Sequence, residues 1–186
     1  MQTLLMSYAT LFARHREQWL AACGTPPETA LRQNMDTDLL LPGCPRRWHT
    51  WWQTAPGVAD PAAFVRWQRD NVPLHPEALA FWLAERRLEV RVEIAGRAVE
   101  LTPVTKTQPP LRTLAEGYFA WSLRPDQPFA VTVGLTRDNG EEAVLEVDAA
   151  TGAPALTLLE NRQTLWRGDR GLSETLASAP LIVGWR

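Results

Sequence analysis

The chain has 186 residues, of which 45% are hydrophobic and nine are tryptophan, enough apolar surface for a packed core and far from disordered compositions. Its length fits a single domain spanning residues 1–186. A net charge of −2 argues against nucleic-acid binding by bulk electrostatics, although Lys106 is the only lysine and the other eighteen basic residues are arginine.

Cys23 and Cys44 are too few for a disulfide scaffold and are expected to be free thiols in a reducing compartment. The opening "MQTLLMSYATLFARHREQW" lacks the basic region of a signal peptide, and no apolar run approaches the ~20 residues that span a bilayer. The expected location is the cytoplasm.

Leu4, Tyr8, Leu11, Phe12, His15 and Trp19 recur at helical spacing and predict an amphipathic helix that stops near Gly24, Pro26 and Pro27. Residues 25–60 carry turn signals around one short apolar run, Leu39 to Leu41, and read as a long wrapped segment containing one strand. Asp60 followed by Pro61 starts a short helix to about Asn71. A second begins at Pro76, with His75 as its N-cap, Glu77 at its positive end and Leu74 and Leu79 spaced as a hydrophobic staple.

"LEVRVEI" (88–94) alternates cleanly, "AGRA" turns the chain and "VELTPV" continues the alternation, which predicts a hairpin. A helix from Leu111 to about Leu123 follows. "FAVTVGL", "AVLEVD" and "ALTLLE", joined by glycine-bearing turns, predict an antiparallel meander, and a helix near Ser173 to Ala179 closes the chain. The fold class is α+β: a single domain with a mostly antiparallel sheet of about five to six strands and helices packed against it.

Candidates for chemistry are thin. His15, His49 and His75 are widely separated, and His15 lies on an apolar helix face, where a core histidine is the better reading than a base. No nucleophile elbow, phosphate loop, His-Glu-x-x-His or Cys-x-x-Cys occurs, so no catalytic residue, metal site or cofactor is expected. The candidates for protein contact are Trp48, Trp51 and Trp52 in "RRWHTWW", and Glu89, Arg91, Glu93 and Glu100 on the hairpin's polar face. The tryptophans read better as anchors pinning the irregular segment to the core, with the arginines snorkelling outward. Glu141 and Glu142 follow the meander turn and extend the acidic character, which reads equally as an acidic patch or as a solvated sheet face.

"ARHREQW", "PGCP", "WQ" at Trp52 and Gln53, "LHPEALAFW" and "VLEVDAATGAP", in this order and spacing, resemble the bacterial Syd family, within the wider SUKH superfamily. The resemblance covers nearly the whole chain. It implies the SUKH/Syd-like α+β fold and a non-enzymatic protein-binding adaptor that docks on the cytoplasmic face of the SecY channel, peripheral to the inner membrane through that partner. The alternative it implies is an immunity protein that binds and neutralises a toxin.

Overall fold

The computed structural model describes residues 1–57, 74–106, 130–138, 140–148 and 150–184, together with Ala62 and Arg66. The helix expected at 60–71, those two residues apart, and the one expected at 111–123 lie outside the described residues.

Among the described residues three helices, α1 (Gln2–Cys23), α2 (Pro76–Leu83) and α3 (Leu172–Ser178), accompany ten strands in two sheets. In the large sheet the strands are β4 (Val90–Ile94), β5 (Arg97–Leu101), β6 (Ala130–Asp138), β7 (Glu141–Asp148), β8 (Pro154–Leu158), β9 (Thr164–Arg167) and β10 (Leu181–Ile182), in the order β10-β4-β5-β6-β7-β8-β9, antiparallel throughout. The small sheet holds β1 (Glu28–Ala30), β2 (Leu40–Leu41) and β3 (His49–Trp52), with β3 central. The α+β class is as expected. The strands outnumber the expected five to six, because β1, β9 and β10 are too short to show an alternating pattern and β3 lies inside "RRWHTWW".

Period-2 patterning builds the large sheet. Val90, Val92 and Val99 of the β4–β5 hairpin point to one face, as do Leu145, Val147 and Leu156 further along, and all are fully buried. Onto this face α1 lays Tyr8, Leu11 and Phe12, α2 lays Ala78, Phe81 and Trp82, and α3 lays Leu172 and Leu176, in one continuous core. The β4–β5 turn contains only Ala95 (φ 51°) and Gly96 (φ 74°), the two positive φ values of a type I′ connection.

Polar groups stitch the layers. Arg14 of α1 donates to the carbonyls of Leu176, Ala177 and Ala179 at the C-terminal end of α3, where a cation is favoured. Asp36, fully buried, accepts from Arg86 (2.8 Å) and from the Lys106 backbone N–H (2.9 Å), tying the entry to β2 to segments flanking the hairpin. The small sheet meets α1 where the Trp52 ring stacks on His15, centroids 5.9 Å apart.

Candidate functional site

Antiparallel register brings three turns to one end of the large sheet: β4–β5 at Ile94/Arg97, β6–β7 at Asp138/Glu141, and β8–β9 beyond Leu158, which lies opposite Ala143. At that end an open cavity of about 460 Å³ is lined by Gly140, Glu141, Glu142, Leu158, Leu159 and Glu160. Glu141 pairs with Arg97 (2.9 Å) and Glu142 with Arg137 (2.6 Å), while Glu160 is exposed in the β8–β9 turn. Leu159, 42% exposed, donates its N–H to the Glu142 carbonyl (2.9 Å) and adds an apolar element to the rim.

Exposed Asp138 and Glu93 lie at the same end of the sheet. Of the nearby cations, Arg162 is turned back onto the buried Glu146, which it holds through both carboxylate oxygens at 2.7 and 2.8 Å. At this end the carboxylates of Glu93, Asp138, Glu141, Glu142 and Glu160 outnumber the guanidinium groups of Arg97 and Arg137, leaving an excess of negative charge. An open, acid-lined hollow with an apolar rim can receive cationic side chains of another protein.

A second surface is the tip of the small sheet. His49 N–H donates to the Arg46 carbonyl (3.2 Å), closing a turn with Arg47 and Trp48 at its centre. Trp48 adopts φ 65° and is 68% exposed, with the Arg47 guanidinium 5.1 Å from its ring centroid. Its carbonyl accepts from Leu31 N–H (2.8 Å), so exposed Leu31 lies beside the turn.

The residues singled out from sequence do not form one surface. Trp52 is 2% exposed and belongs to the core, Trp51 is half-buried, and Trp48 alone of the three projects outward. Glu89 and Arg91 pair with each other (3.2 Å), and both are engaged elsewhere: the Thr29 hydroxyl of β1 donates to Glu89 (3.2 Å), and Arg91 donates to the Gly184 carbonyl (3.0 Å). Glu100 stands opposite Arg91, and burial, then neighbouring Glu89, push its carboxyl up. Of the hairpin group, Glu93 is the exposed member. Glu160 escaped sequence reasoning because "ALTLLE" reads as one strand; the usable signal was "ENRQ", turn residues directly after it.

The described histidines hold structure together. His15 is buried between Trp19 and Trp52, and burial, then Arg91, push its imidazole down to about 4. His75 caps α2 by accepting the Glu77 N–H at Nδ1 (3.2 Å). His49 turns its Nδ1 to the Arg47 carbonyl (3.1 Å).

Among the described residues Arg87 is the fully buried cation. It lies between the Phe12 and Phe81 rings, 4.5 and 4.2 Å away, and donates to the Phe81 and Glu85 carbonyls at the end of α2. Among the described residues no group of three or more His, Cys, Asp or Glu is arranged to hold a metal, and no helix is long and apolar enough to cross a membrane. No protein-family model and no curated protein matches the chain.

Proposed function

We propose that the protein is a non-enzymatic protein-binding adaptor that docks on the cytoplasmic face of the SecY channel, as its resemblance to the Syd family implies. The hollow bordered by Glu141, Glu142 and Glu160 is the contact surface. Cytoplasmic loops of membrane proteins carry an excess of Lys and Arg, so a channel's cytoplasmic face offers the cations that such a hollow receives. The observation that carries the reading is the gathering of these carboxylates around an open concavity with Leu159 on its rim. Attraction between the two charged faces would speed encounter and weaken with salt.

The test is co-sedimentation with membrane vesicles rich in SecY and with matched vesicles depleted of it, at low and high salt. Recovery on the SecY-rich vesicles alone, falling at high salt, is the expected result. Equal recovery on both kinds of vesicle would sink the SecY reading, and the same acidic surface would then favour toxin capture, the role of immunity proteins in the SUKH superfamily.

A further inference from the structure

We infer that the Arg46–His49 turn is a second docking surface, opposite in charge to the acidic hollow, and that it takes an acidic segment of a partner protein carrying an apolar side chain. The inference rests on reading the chain as a protein-binding adaptor and gives it two contact faces.

The backbone supplies the first argument. A turn with positive φ at its third residue favours glycine or asparagine there, and a bulky side chain in that conformation is strained. This turn has Trp48 at φ 65° and leaves its ring 68% exposed, so packing returns little for the strain. Strain retained without a packing return marks a functional position.

Charge supplies the second. Arg47 stacks on the Trp48 ring, Arg46 is 52% exposed beside it, and exposed Arg32 follows Leu31 on the adjoining strand end. Among the described acids, Glu28, whose side chain is 10% exposed, pairs with Arg46 (3.2 Å), and half-buried Glu100 lies within electrostatic reach of Arg32. The tip is therefore a cationic, aromatic knob, and Trp with Arg is the pairing enriched where protein interfaces concentrate their affinity. Arginine forks match carboxylates bidentately, and Trp48 with Leu31 offers an apolar anchor point.

A lipid surface or a nucleic acid fits less well. Basic clusters that hold anionic membranes carry about four to eight Lys or Arg, and nucleic-acid binders spread cations along a groove in a basic domain.

The experiment measures fluorescence anisotropy of a labelled peptide, Glu-Glu-Leu-Glu-Glu-Phe-Glu-Glu, and of its counterpart with every Glu replaced by Gln. The full-length protein should bind the acidic peptide about tenfold more tightly than the neutral one, and Trp48→Gly should weaken that binding by about tenfold. Because glycine suits φ 65°, Trp48→Gly should melt no lower than the parent, which separates lost contact from lost fold. Arg46→Glu combined with Arg47→Glu should abolish peptide binding. Arg167→Ala, an exposed arginine on the far edge strand β9, should leave it unchanged.

Equal peptide affinity for parent and Trp48→Gly would overturn the inference. So would tighter binding to phosphatidylglycerol vesicles or to a single-stranded oligonucleotide than to the acidic peptide, or self-association that Trp48→Gly removes. None of these outcomes bears on recovery with SecY vesicles, so the two readings fail separately.

Discussion

The Glu77 carboxylate of α2 caps α3, accepting the backbone N–H and the hydroxyl of Ser173 at 2.9 Å each. The N-cap of α3 is Gly171, which has no side chain to do this, and a Cβ there would collide with Glu77 Oε1. The Tyr8 hydroxyl of α1 donates to the same carboxylate (3.1 Å), and burial, then Glu77, raise its pKa well above the ordinary phenol value. One buried anion thus joins all three described helices.

Removing that anion leaves the first turn of α3 unsatisfied in the core, while the Tyr8 hydroxyl keeps the Glu77 backbone carbonyl (3.2 Å) as its acceptor. Glu77→Ala should cost about 3 kcal/mol, as expected for breaking a buried charged network. Tyr8→Phe, which removes one donor and leaves the cap, should cost only about 1 kcal/mol. Urea midpoints of the two variants check the order.

The imidazole that caps α2 packs on the β7–β8 turn. Gly152 there has φ 72°, and a Cβ would run into the His75 ring. Gly152→Ala should therefore lose more than the ~1 kcal/mol that left-handed backbone alone costs an alanine. Gly140→Ala, at φ 83° with nothing within 4 Å of its Cβ, should lose only that backbone part. Joining His75→Ala to Gly152→Ala should cost less than the sum of the two, which a double-mutant cycle in urea measures.

His15 makes stability depend on pH. Its pKa falls from 6.5 to about 4 on folding. The unfolded chain thus binds the extra proton between those values, and stability drops as pH falls through this window. The contribution is full above 6.5 and on the order of 3 kcal/mol at most. His15→Gln should narrow the loss in urea midpoint between pH 7 and pH 4.5 relative to the parent; equal losses in both proteins would contradict the assignment.

The elements with strong periodicity were legible in the sequence: the stripe Tyr8, Leu11, Phe12 and His15, the alternation Val90, Val92 and Ile94, and the cap at His75 ahead of Pro76 all stand as read. What sequence could not show was long-range. Glu77 reads as a favourable charge on its own helix, whereas its carboxylate serves a helix 96 residues away. Nothing in the sequence beside Arg86 marks Arg87 as buried, yet it packs between Phe12 and Phe81. The acidic surface was half legible, since Glu141 and Glu142 stand out after their turn. Glu160 joins them only because antiparallel register brings the β8–β9 turn to the same end.

The most direct test reverses the charge of the hollow. Glu141→Lys, Glu142→Lys and Glu160→Lys combined should leave the fold intact, because these groups are exposed and exposed ion pairs contribute about 0–1 kcal/mol each. Recovery of this triple variant on SecY-rich vesicles at low salt is the decisive measurement. If the hollow docks on SecY, recovery falls to the level seen with SecY-depleted vesicles; recovery equal to that of the parent protein, with an unchanged melting temperature, would contradict docking through this surface.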